Sequence, residues 1–125
     1  MMSEVVLAKL TEISNGQAKG FDPLNNGQDS MFIVRQDDKA YAYVDICPHY
    51  SSTTLPWKKD RYLSADNKHI VCAAHRAVFD IQDGTCVNGP CLGQALKKIE
   101  IVVSSDHEIR INLDTLRNAI NESMR

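Results

Sequence analysis

The sequence has no hydrophobic run of the length needed to cross a membrane. Its longest apolar runs, residues 40–44 and 70–74, fall far short of the roughly 20 residues of a bilayer-spanning helix. The first residues also lack the features of a signal peptide, because Glu4 and Lys9 bracket only a short apolar stretch. We therefore expect a soluble protein without membrane insertion.

The chain also lacks a marked excess of charge of either sign. Its 14 basic and 16 acidic residues are well mixed and give a formal net charge of -2 at pH 7, so nucleic acid is not an expected partner. With 125 residues, of which 43% are hydrophobic, the chain predicts one domain over residues 1–125.

Cysteines are few, and no export signal accompanies them. The chain has 4 cysteines, which outside the secretory route are reduced thiols, metal ligands or small buried side chains more often than a disulfide framework. A cytoplasmic location is therefore expected.

Short segments rich in β-branched and aromatic residues alternate with turn signals. The predicted strands are residues 5–10, 31–35, 40–46, 70–73 and 77–81. The turn signals are residues 25–27, 37–39, 66–68, 83–84 and 88–90. Their Gly and Asn residues tolerate positive φ, and their Asp and Asn side chains bond to nearby backbone amides. This pattern predicts an all-β domain of antiparallel strands.

The last third of the chain predicts a hairpin followed by a helix. Residues 97–103 and 108–113 flank a polar tip, and the domain core is expected to cover about residues 5–113. Asp114 is the predicted N-cap of a short C-terminal helix over about 114–124, in which Leu116, Ala119 and Ile120 recur at helical spacing.

Two short motifs carry the chemistry of the chain. Cys47-Pro48-His49 and Cys72-Ala73-Ala74-His75 each combine a thiolate with an imidazole, and residues 50–71 separate them. Each motif lies at the end of a predicted strand, and adjacent strands would bring the two loops face to face.

Two cysteines and two histidines can bind either one zinc ion or a 2Fe-2S cluster in which histidines replace two of the cysteines. The ligand types alone leave both open. Zinc sites of this composition usually group like ligands together, whereas here each loop contributes one thiolate and one imidazole. The mixed loops favour a centre with two metals.

The sequence here closely resembles the Rieske ferredoxin family. The family pattern has Cys-x-His, then Cys-x-x-His, followed by an aromatic residue with Asp and by a Gly-Pro segment. This chain continues with Phe79-Asp80, Asp83-Gly84 and Asn88-Gly89-Pro90. The resemblance covers residues 5–113 and its motifs are specific.

The resemblance implies a ligand set, a fold and a function. Cys47 and Cys72 would bind one iron of the 2Fe-2S cluster, and His49 and His75 would bind the other near the surface. The fold would be an antiparallel β sandwich with a cluster-binding loop subdomain. The protein would be a soluble one-electron carrier, not itself an enzyme, between a reductase and an oxygenase or other oxidoreductase.

Two alternatives remain beside this interpretation. A structural zinc-binding domain that mediates protein interactions would use the same four residues. A small subunit of a nitrite-reductase-like system is a near variant of the carrier. Iron and acid-labile sulfide analysis separates the zinc protein from the other two.

The chain departs from the family pattern in the stretch between the motifs, residues 50–71, which lies at the long end for the family, and beside the second motif. Arg76 stands where the family usually has Gly, and Ala77 stands where high-potential members have Ser. Without that hydroxyl the reduction potential should fall toward the low end of the Rieske range, about -150 to +300 mV. Arg76 would raise it if the guanidinium faces the cluster, and would have no such effect if it points into solvent.

Residues 55–61 are expected to form a surface excursion beside the cluster. Cys86 and Cys91 are expected to be small, partly buried side chains and not ligands.

Overall fold

The computed structural model describes residues 4–48, 55–56, 58–73, 76–90 and 92–123. Within this part the chain forms ten β-strands, one 3₁₀ turn (Leu10–Glu12) and one α-helix. The strands are β1 (Glu4–Lys9), β2 (Ala18–Phe21), β3 (Met31–Gln36), β4 (Lys39–Val44), β5 (His69–Val71), β6 (Val78–Asp80), β7 (Cys86–Asn88), β8 (Lys98–Ile99), β9 (Ile101–Val103) and β10 (Glu108–Asn112). The helix is α1 (Leu113–Ser123).

The strands form three antiparallel sheets. The first sheet has the order β1-β10-β9, the central sheet β2-β3-β4-β8 and the third sheet β5-β6-β7. The predicted all-β class, with antiparallel strands and one short C-terminal helix, is confirmed.

Both faces of the central sheet are buried. Phe32, Val34 and Tyr43 point into a core shared with the third sheet. Their neighbours in sequence, including Ile33 and Val44, point into a second core shared with the first sheet and α1. Because successive side chains of a strand face opposite ways, a strand covered on both sides has no polar face. This explains the unbroken apolar start of β3.

The predicted strands are present with shifted ends, and two strands were not predicted. β2 is interrupted by Gly20 and β7 has three residues, so neither has the alternating pattern that identifies a strand. The predicted arm 97–103 is divided at Glu100, because β8 pairs with the central sheet and β9 with β10 of the first sheet.

The C-terminal helix begins one residue earlier than predicted, and the prediction of Asp114 as its N-cap is wrong. Asn112 takes that position, because its Oδ1 accepts a hydrogen bond from the N–H of Thr115 at 3.0 Å. Asp114 lies in the first turn, 3.3 Å from Arg117. Leu116 and Ala119 are buried, as the spacing predicted.

No helix in the described part of the chain combines the length and apolar character that a membrane crossing requires.

Leu116 anchors α1 to the second core, and its truncation tests that docking. The side chain is fully buried against residues of the first and central sheets. We expect Leu116→Ala to lower the free energy of unfolding by about 2–5 kcal/mol, measured by urea denaturation. Arg117→Ala, on the exposed side of the same turn, should change it by about 0.5 kcal/mol or less. Equal effects of the two substitutions would contradict the docking of α1 through Leu116.

Candidate metal centre

The first predicted ligand loop leaves the central sheet at the end of β4. Asp45 follows this strand directly and donates its N–H to the carbonyl oxygen of Ser30 at 3.0 Å. Cys47 comes two residues later and is fully buried, and Pro48 is half-buried. Pro48 biases Cys47 toward an extended backbone, so the loop leads the thiol away from the strand end.

The second predicted ligand loop connects β5 to β6. Cys72 follows β5 directly, is fully buried, and donates its N–H to the carbonyl oxygen of Ala77 at 2.9 Å. Arg76 donates its N–H to the carbonyl oxygen of Cys72 at 2.7 Å and has φ of 56°. This positive φ is adopted without strain by glycine, which accounts for the residue that the family usually has there.

The two cysteines lie in the same core, although their loops come from different sheets. Cys47 and Cys72 both belong to the core between the central and third sheets. The prediction that adjacent strands bring the loops together is wrong, because β4 belongs to the central sheet and β5 to the third.

A buried carboxylate lies beside the first loop. Among the described residues, Asp45 is the one charged side chain that is buried, with 2% of its surface exposed. Its Oδ1 accepts the N–H of Leu55 at 2.9 Å, and its Oδ2 accepts the hydroxyl of Tyr62 at 2.8 Å. Burial raises the pKa of Asp45, and these two hydrogen bonds oppose that rise. Burial also raises the pKa of Tyr62, and the charge of Asp45 raises it further.

The segment between the two motifs is only partly a surface excursion. Lys58, Lys59 and Arg61 are exposed, as expected, but Leu55 is fully buried, which corrects the prediction for that residue. Lys59 Nζ donates to the carbonyl oxygen of Gly20 at 3.1 Å, and Asp60 Oδ1 accepts the N–H of Gly20 at 2.8 Å. The excursion is therefore fastened to β2, the edge strand of the central sheet.

A third loop packs beneath the second ligand loop. Gly89, in the predicted Asn-Gly-Pro turn, has φ of 104°, and a Cβ there would lie 2.7 Å from Cα of Ala77 and 3.1 Å from the carbonyl oxygen of Arg76. Glycine is therefore needed both for its backbone conformation and for this close approach.

Several residues singled out in the sequence lie outside the described residues, namely His49, Trp57, His75 and Cys91. Among the described residues, no three His, Cys, Asp or Glu side chains are grouped as a metal ion would require. Cys86 is buried, as expected, and its thiol donates to the carbonyl oxygen of Asn88 at 3.2 Å.

The described donors suit an iron-sulfur centre. Cys47 and Cys72 present two soft thiol sulfurs that are both shielded from water, as thiolate-bound iron would require. Sequence reasoning found these two residues but missed Asp45 and Tyr62. Their hydrogen bond joins positions 17 residues apart, and no local pattern in the sequence announces it.

Comparison with known proteins adds a family and a fold. The model of the Rieske [2Fe-2S] domain matches residues 3–110 of the chain. No curated protein matches the sequence.

Several solved structures have a similar fold. A chain of the complex of reduced oxygenase and oxidised ferredoxin in carbazole 1,9a-dioxygenase is 19% identical, with a TM-score of 0.67 over 90% of this chain and 94% of that chain. The ferredoxin of carbazole 1,9a-dioxygenase from Nocardioides aromaticivorans IC177 is 22% identical, with a TM-score of 0.62 over 88% and 98%. The Sphingomonas yanoikuyae B1 ferredoxin is 16% identical, with a TM-score of 0.65 over 87% and 97%.

Gly89 and Gly93 provide a matched test of the packing beneath the second loop. Both have positive φ, but a Cβ at Gly93 would meet no atom within 4 Å, whereas one at Gly89 would collide with backbone. We expect Gly89→Ala to lower the free energy of unfolding by about 1–3 kcal/mol more than Gly93→Ala, measured by urea denaturation. Equal losses would show that the close approach of Gly89 to Ala77 adds nothing beyond backbone strain.

Proposed function

We propose that this chain, which belongs to the Rieske [2Fe-2S] domain family, carries single electrons to an oxygenase or another oxidoreductase. The family implies a 2Fe-2S cluster as the cofactor, which when bound accepts and returns one electron. The observation that carries this proposal is the family match over residues 3–110. It covers both cysteine-histidine motifs and nearly all of the chain.

We propose that Cys47 and Cys72 bind one iron and that His49 and His75 bind the other. The burial of both cysteines in one core supports the thiolate half of this assignment. Four protein ligands leave no open coordination position for a substrate. The residues of this chain would therefore hold the cluster and shield its thiolate side from water, without binding a substrate at iron.

The proposed partners are redox proteins. The ferredoxins described above are covered by this chain over 98% and 97% of their lengths. By contrast, the quaternary ammonium Rieske monooxygenase CntA is covered over only 32%. The similarity thus spans nearly the whole of each ferredoxin, which supports a ferredoxin-like carrier. The chain would act as one domain over residues 1–125 in the cytoplasm, where thiols are kept reduced.

The metal content and the thiolate ligands are tested together. We expect the purified chain to be brown and to contain about two irons and two acid-labile sulfides per chain. Cys72→Ser should abolish most of the colour, because it removes a soft ligand from a buried position. Cys86→Ser is the matched control, since Cys86 is equally buried but lies in β7, and it should retain the cluster.

The same measurements would refute the carrier. A colourless protein with one zinc per chain would identify a structural zinc domain. A brown Cys72→Ser variant with the iron content of the parent would remove Cys72 from the ligand set.

The charge of Arg76 is expected to raise the reduction potential. Its backbone N–H bonds to Cys72, and a cation near the centre favours the more negative reduced state. Because Arg76 is exposed, solvent screens this effect. We expect Arg76→Gly to lower the potential by about 10–40 mV in a redox titration. Arg76→Lys keeps the charge and should keep the potential, whereas an unchanged potential in Arg76→Gly would exclude an electrostatic role.

A further inference from the structure

We propose that Asp45 is a positioning residue that sets the separation of the two ligand loops, through two hydrogen-bonded arms that end on either side of Cys72. The inference rests on the assignment of Cys47 and Cys72 as ligands proposed above. Asp45 itself would bind no iron, but it would fix the distance between the two thiolates.

The backbone of Asp45 belongs to the first loop. Its N–H donates to the carbonyl oxygen of Ser30, the residue before β3. Cys47 lies two positions after Asp45 in the sequence. The carboxylate is therefore carried by the same short stretch of chain that carries the first thiol.

Each carboxylate oxygen begins one arm toward the second loop. Along the first arm, Oδ1 of Asp45 accepts the N–H of Leu55, and the carbonyl oxygen of Leu55 accepts the N–H of Ala73 at 2.8 Å. Along the second arm, Oδ2 accepts the hydroxyl of Tyr62, and the carbonyl oxygen of Tyr62 accepts the N–H of Val71 at 2.9 Å. Val71 and Ala73 are the two neighbours of Cys72, so both arms converge on the second thiol.

The arms have little freedom to move. Leu55 and Tyr62 are fully buried. The ring of Tyr62 stacks on Phe32, with centroids 4.1 Å apart and planes 12° apart. A Cβ at Gly20 would lie 2.6 Å from the Tyr62 hydroxyl, so this oxygen fits closely against the glycine backbone. A buried carboxylate that lost these donors would find no water to replace them, which makes the arms costly to break.

Tyr43 offers a matched control within the same core. Its ring lies 5.8 Å from that of Phe32, and its hydroxyl donates to the carbonyl oxygen of Ile81 at 2.5 Å. Tyr43 and Tyr62 are thus two buried tyrosines whose hydroxyls each donate one hydrogen bond, but the hydroxyl of Tyr43 bonds to neither ligand loop. Removal of either hydroxyl should destabilise the fold, and only the removal at Tyr62 should loosen the second loop.

The experiment compares the cluster-loaded parent with Tyr62→Phe, Tyr43→Phe and Asp45→Asn. Hydrogen exchange, followed by mass spectrometry, measures opening at Val71 and Ala73 relative to the amides of β10. The loss of cluster absorbance in excess iron chelator measures retention. The g values of the reduced cluster, measured by electron paramagnetic resonance, report its ligand geometry.

We expect Tyr62→Phe to accelerate both exchange at Val71 and Ala73 and cluster release by about tenfold and to shift the g values. Tyr43→Phe should cause none of these changes beyond its effect on global stability. Asp45→Asn should lie between the parent and Tyr62→Phe, because an amide oxygen can still accept from Leu55, whereas an amide nitrogen that faces Tyr62 cannot accept its hydroxyl proton.

The outcomes separate this inference from the proposed function. If the parent holds iron and Tyr62→Phe behaves as Tyr43→Phe does in all three measurements, Asp45 and Tyr62 are merely core residues and the inference is overturned. If the parent itself binds no iron, the ligand assignment has failed, and the inference fails with it.

Discussion

Two thiols that are to bind one iron, as proposed for Cys47 and Cys72, must keep a fixed distance, and in this protein they follow strands of different sheets. Cys47 follows β4 of the central sheet and Cys72 follows β5 of the third. The hydrogen bonds of Asp45 cross from one to the other, and they are made by a charged acceptor where water does not compete. Leu55 and Tyr62, which make these bonds, in turn accept the N–H groups of Ala73 and Val71 on either side of Cys72.

The central sheet separates two cores that differ in composition. One face packs against the third sheet and encloses the two cysteines and their supporting aromatic side chains. The other face packs against the first sheet and α1. The fully buried side chains of this second core are aliphatic, apart from Met31. Because β3 and β4 contribute to both, the strand that precedes the first predicted ligand loop is packed on both faces.

The parts of the molecule that could be predicted are those with a local signature. The strands with several apolar residues were found, because spacing and residue type alone identify them. The ligand role of the two cysteine-histidine motifs stays a prediction. β2 and β7 were missed, because they have only four and three residues. Neither segment is long enough to show the alternation of apolar and polar residues that identifies a strand. The contact of Asp45 with Tyr62 joins residues that are 17 positions apart. From the sequence alone, an aspartate at this position fits a turn as well as it fits a buried hydrogen-bond acceptor.

The fastening of the excursion at Gly20 has a consequence for how copies of this protein meet. β2 is an edge strand, and the outward N–H and carbonyl groups of such a strand can recruit a strand from another molecule. At Gly20 both groups are already occupied by Asp60 and Lys59 of the same chain. Lys59 and Asp60 therefore discourage a strand of another copy from adding to the central sheet at this point.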